Sequence, residues 1–73
     1  MLVGDIVYND NFDFNANYAI YEYKASKPWY ELEPVFSTMK DGFIKPLDRI
    51  LDMKVVYVTI SGEVLIIEGR CEQ

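Results

Sequence analysis

"KVVYVTISGEVLIIEGR", residues 54–70, decides the fold. Two runs rich in β-branched residues flank Ser61-Gly62, and such a dipeptide between strands marks a tight hairpin. In the first run Val55, Tyr57 and Thr59 share one face and Val56, Val58 and Ile60 the other. The second face is wholly aliphatic, so the pattern directs Val56, Val58 and Ile60 into the core. In "EVLIIE", residues 63–68, Val64 and Ile66 alternate with Leu65 and Ile67, and both faces are apolar. A strand of that kind lies centrally in a sheet or under a helix. Gly69 ends the run, and residues 69–73 read as a fraying tail.

Upstream, "KPLDRILDM" (45–53) carries the one helical pattern, with Leu47, Ile50 and Leu51 at i, i+3 and i+4. Pro46 suits a first helical position, and Asp48 the first turn, where the helix dipole favours an acid. A helix near residues 46–52 is too short to hold alone in water and must dock on a sheet. "KDGF" (40–43) is a turn, since Asp-Gly favours positive backbone angles. "EPVFSTM" (33–39) reads as a strand, with Pro34 at its first residue or on a sheet edge. "ASKPW" (25–29) is a loop. "NYAIYEYK" (17–24) is a strand with Tyr18, Ile20 and Glu22 on one side and Ala19, Tyr21 and Tyr23 on the other. "LVGDIVY" (2–8), short and β-branched, reads as the first strand.

Strand, strand, strand, helix, hairpin is the order of an α+β, β-rich domain. The expected architecture is a small antiparallel sheet of about five strands, partly closed or SH3-like, with the helix against one end or face. The chain has 73 residues and reads as a single small domain, 1–73. A chain of this length buries only about 60% of its unfolded surface, so the core is small.

Half the residues are hydrophobic and a quarter charged, the balance of a folded domain. No apolar run approaches the length of a membrane span. "MLVGDIVY" lacks the basic start of a secretory signal. Cys71 is the only cysteine, which rules out an internal disulfide and a multi-cysteine zinc site. Small secreted domains usually need such staples, so a cytoplasmic location is expected. The net charge is -5. Residues 1–23 hold Asp5, Asp10, Asp13 and Glu22 with no Lys or Arg. Nucleic-acid binders carry a basic footprint, so direct nucleic-acid binding is not expected.

"NDNFDFNANY" (9–18) places Asn or Asp at every second position. Read as a calcium loop, Asn11, Asp13, Asn15 and Glu22 fall at positions 1, 3, 5 and 12 of the EF-hand spacing. The match fails where it matters: Asn replaces the first Asp, Ala16 the central Gly, and the flanks are not helical. A loop over 9–14, with Phe12 and Phe14 on the core rim, running into a strand by residue 16–17, is the better reading.

The aromatics crowd into one third of the chain: Tyr8, Phe12, Phe14, Tyr18, Tyr21, Tyr23, Trp29 and Tyr30. Most rings of this kind build a core, but Tyr and Trp also favour protein interfaces. Tyr21, Tyr23 and Trp29 are the candidates for an exposed patch, with Asp10, Asp13 and Glu22 as acidic neighbours. Catalysis has little support. There is no His. Ser26, Ser37 and Ser61 lack a base, Cys71 stands beside Glu72, and Glu31 with Glu33 reads as a solvated strand face. No catalytic, metal or cofactor site is expected.

Nearly the whole chain resembles a group of short proteins of Gram-positive bacteria, often encoded on conjugative or integrative mobile elements. "GDIVYNDNFDFNANYAIYE", the Trp29 segment, "PVFST" and "LDMKVVYVTISGEVLIIE" carry the resemblance. It implies mobile-element cargo and assigns no activity and no site residue. The expectation is a non-enzymatic protein-interaction domain, monomer or homodimer. The alternatives are an acidic nucleic-acid mimic for a basic cleft, or a weak metal or small-molecule binder.

Overall fold

A computed structural model of the chain describes residues 1–7 and 17–71. It is an α+β domain, built from a sheet and short helices. The elements run α1 (Val3–Val7), β1 (Asn17–Glu22), a 3₁₀ turn (Trp29–Glu31), β2 (Phe36–Ser37), α2 (Thr38–Asp41), α3 (Asp48–Leu51), β3 (Lys54–Ser61) and β4 (Val64–Arg70). Among the described residues the sheet has four strands, in the order β2-β1-β4-β3. β1 pairs β2 antiparallel and β4 parallel, and β3 pairs β4 antiparallel. The five-stranded antiparallel, partly closed sheet expected from sequence is therefore corrected: the sheet is four-stranded, mixed and open.

Two local causes remove the extra strand content. Of residues 2–8, expected as a strand, Val3–Val7 form α1. Asp5 accepts the Leu2 N–H at 2.9 Å, the reach-back half of a capping box. Val3, Ile6 and Val7 then fall on one helical face, and Val3 and Val7 are fully buried. Gly4 permits the close approach of this helix to α3, since a Cβ there would lie 3.3 Å from the Leu51 carbonyl oxygen. The strand expected over 33–39 is cut to Phe36–Ser37 because Ser37 caps α2. Its hydroxyl accepts the Met39 N–H at 3.3 Å, and Asp41 accepts the Ser37 N–H at 3.2 Å. Pro34 precedes this edge strand, where its missing N–H does no harm.

The core lies on one face of the sheet, under α1 and α3. Val3, Val7, Tyr18, Ile20, Phe36, Ile50, Leu51, Met53 and Ile67 form one buried cluster. β4 is central, as its two apolar faces require. Gly69 and Arg70, expected in the tail, belong to this strand. In α3 Ile50 and Leu51 are buried, but Leu47 is the N-cap and exposed, so Pro46 stands before the cap and not at the first helical position.

β3 departs most from expectation. Val56, Val58 and Ile60, directed to the core by their period, are all exposed. A bulge explains the first of these. Val55 pairs Gly69 while Tyr57 pairs Glu68, so Val56 is an inserted residue and every later side chain changes face. Val55 thereby joins the core side. Val58 and Ile60 stand opposite Ile67 and Leu65 on that same side, but β3 is the sheet edge, beyond the cover of α1 and α3. The hairpin itself closes one residue later than expected. Ser61 pairs Val64, and the loop is Gly62-Glu63 with Gly62 at φ 63.

Candidate partner-binding face

Alternation along β1 and β4 sends Ala19, Tyr21, Val64, Ile66 and Glu68 to the face opposite the helices. Neither α1 nor α3 covers this outer face, and of α2 Met39 reaches its margin. The chain leaving β1 crosses it instead. Tyr23 donates its N–H to the Gly69 carbonyl at 2.7 Å, and the 3₁₀ turn that follows sets Trp29 over the sheet. Pro28 precedes the turn in an extended conformation and carries no N–H to leave unsatisfied. The Trp29 ring meets Tyr21 at 5.5 Å between centroids, tilted by 55°. Tyr30 stands edge-on to Trp29 at 5.6 Å. Such tilted and edge-on pairs match the positive edge of one ring to the negative face of another. Burial in this cluster pushes the Tyr21 phenol above its ordinary pKa.

Hollows flank Trp29. The larger is an open groove of about 430 Å³, walled by Tyr23, Pro28, Trp29, Tyr30, Val56 and Tyr57, with Glu68 also lining it. A smaller one of about 170 Å³ lies between Trp29, Met39 and the β-strand side chains of Ala19 and Ile66. Both are predominantly apolar, and the larger has Tyr30 and Tyr57 on its rim, 71% and 53% exposed.

The structure brings Tyr21, Tyr23 and Trp29 together, each half-buried. It does not bring Glu22 to them. Glu22 alternates to the other side of β1 and pairs with Lys24 at 3.3 Å. Asp10 and Asp13 lie outside the described residues, as do Phe12, Phe14 and the calcium-loop and loop readings made for residues 9–16. Sequence reasoning missed Tyr57, Val56 and Glu68. Glu68 had a signal: an acid at the end of a run that is apolar on both faces. Tyr57 had one too: the alternation sets it on the face opposite Val58 and Ile60, the face read as pointing away from the core.

Compared with protein-family models, with curated proteins and with solved structures, the chain matches none. Among the described residues no helix is long and apolar enough to cross a membrane.

Proposed function

We propose that the protein acts by binding another protein through the outer face around Trp29, and not by catalysis. The observation that carries this is the ring cluster of Tyr21, Trp29 and Tyr30 beside an open apolar groove. Interface anchors are typically aromatic side chains set in pockets, with a partly wet rim. Tyr30 and Tyr57 have that setting, each a large exposed ring next to a concave surface. The alternative of a nucleic-acid mimic needs a row of exposed carboxylates on one face. Glu22 is engaged by Lys24, and Glu68 is buried among rings, so neither supports that reading. The resemblance to mobile-element proteins fits cargo that acts on a host or element protein.

A pull-down from the native cell tests this, with Trp29→Ala and Tyr30→Ala as controls. Tyr30 is the safer position for the fold, since its ring is mostly exposed. The expected result is a set of proteins captured by the wild type and lost with both variants. If both variants capture the same proteins as the wild type, the face is not the docking surface.

A further inference from the structure

Glu68 is at odds with its surroundings. β4 sets it between Tyr21 of β1 and Tyr57 of β3, in the middle of the sheet. The residue is only 7% exposed. Among the described residues no hydrogen bond or ion pair engages its carboxylate. No side-chain oxygen of the described residues is sealed from water without a partner, so the carboxylate stands at the groove wall, reachable from solvent and open to a cation. It lines the groove of about 430 Å³, and no Lys or Arg of the described residues lines that groove with it. The remaining walls are rings and aliphatic carbon: Tyr23, Trp29, Tyr30 and Tyr57, with Pro28 and Val56.

Aromatic faces carry negative quadrupole charge and attract cations, most strongly where water is displaced. A carboxylate among four such rings selects against anions. It also selects against neutral ligands, which would cover the charge without compensating it. The whole chain carries a net charge of -5, which adds a long-range bias of the same sign. Of the cationic groups a partner protein offers, guanidinium fits this chemistry best. It is planar, stacks on rings, is weakly hydrated, and engages a carboxylate with two parallel N–H donors. We infer that the groove receives an arginine side chain of the partner, stacked between Trp29 and the tyrosines and paired with Glu68. The inference rests on the reading of this face as a docking surface and names the chemistry that the partner brings to it.

Trp29 is the only tryptophan, so its emission reports on the groove directly. The probes are three capped tripeptides, Gly-X-Gly, with X arginine, citrulline or lysine. Citrulline keeps the shape of arginine and removes its charge. The arginine peptide is expected to saturate the Trp29 signal with a Kd on the order of 1 mM, a single-side-chain affinity. Citrulline should bind at least about tenfold more weakly, the loss of one charge-assisted contact. Glu68→Gln should weaken the arginine peptide by a similar factor and leave citrulline unchanged. Tyr57→Ala, at an exposed rim position, should weaken arginine by about threefold or more.

Equal binding of arginine and citrulline overturns the inference. So does unchanged arginine binding by Glu68→Gln, or tighter binding of lysine than of arginine. An absent response to the arginine peptide, together with a pull-down that Tyr30→Ala abolishes, overturns the arginine assignment alone and leaves the docking surface standing.

Discussion

Thr38 ties the first turn of α2 to the end of β1, and its replacement by valine isolates that tie. The side chain is buried, and its hydroxyl accepts the Tyr18 N–H at 3.1 Å. The same hydroxyl donates to the Asn17 side-chain oxygen at 2.9 Å. β2 stops at Ser37, so Thr38 extends with a side chain the ladder that the strand no longer supplies with its backbone. Valine has nearly the same shape and no polar atom. The lost bond costs about 1 kcal/mol, and removing the acceptor from a buried N–H raises this to about 2 kcal/mol. Asn17 is only half-buried and can turn to water, so its share is small. A domain of this length has about 4–11 kcal/mol of stability, so the loss is a large fraction of the whole. With a urea slope of about 1 kcal/mol per molar, the unfolding midpoint, followed by Trp29 emission, falls by about 2 M. Thr38→Ser keeps the hydroxyl and should cost about half as much. Faster hydrogen exchange of the Tyr18 amide in Thr38→Val would accompany the loss. A Thr38→Val protein as stable as Thr38→Ser, with unchanged Tyr18 exchange, refutes this account of the α2–β1 junction.

Three further outcomes follow from the packing. A Cβ at Gly69 would meet Met53 Cβ and Cε and Val3 Cγ2, each at 3.1 Å. Gly69→Ala should therefore overpack the joint between β4 and α1, costing about 1–2 kcal/mol and lowering Tm by about 4–16 °C in a calorimetric scan. Glu68→Gln keeps the shape of the side chain and removes a charge that no hydrogen bond or ion pair engages among the described residues, so its Tm should match that of the wild type. The Tyr21 phenol has a raised pKa in the folded state because burial opposes its ionisation. The folded state then holds that proton more tightly than the unfolded one. The stabilising contribution is complete below the unfolded value of about 10 and is lost as pH rises through the folded value. Urea midpoints measured above pH 9 should fall less steeply for Tyr21→Phe than for the wild type, and parallel slopes would contradict the burial.

The features legible in the sequence are those set by neighbours along the chain. The hairpin is legible because its strands have a two-residue period and its Gly takes a positive φ. The placement of the loop shifts by one residue because Gly62, not Ser61, is the first central residue. β1 is legible because Tyr18, Ile20 and their alternates carry the β-branched and aromatic content of a strand. α1 was also legible in principle. Val3, Ile6 and Val7 have helical spacing, and Asp5 is placed to reach back to Leu2. The abundance of β-branched residues in five positions outweighs that spacing when propensity alone is read. The parallel pairing of Tyr18 with Leu65 and of Ile20 with Ile67 leaves no local trace, because it joins distant segments through a common core. The binding face shares that limit. Tyr21 and Trp29 are close in sequence and meet as a pair, whereas Tyr57 and Glu68 reach the same groove only through the strand order.

The place of β4 between β1 and β3 has a consequence for how the molecule comes into being. During synthesis β1 emerges early, and the strand it pairs with along its full length emerges last of the four. Until then β1 has only the two-residue β2 to hold, too little for a stable sheet. The β3–β4 hairpin is local and can form within microseconds once its residues are free. Closing β1 onto it spans most of the chain and sets the slow step, in the range of milliseconds to seconds typical of such non-local sheets. Folding is therefore held back until β4 has left the ribosome. Through that interval the aromatic and aliphatic side chains of β1 are open to whatever chaperone or neighbouring chain is nearest.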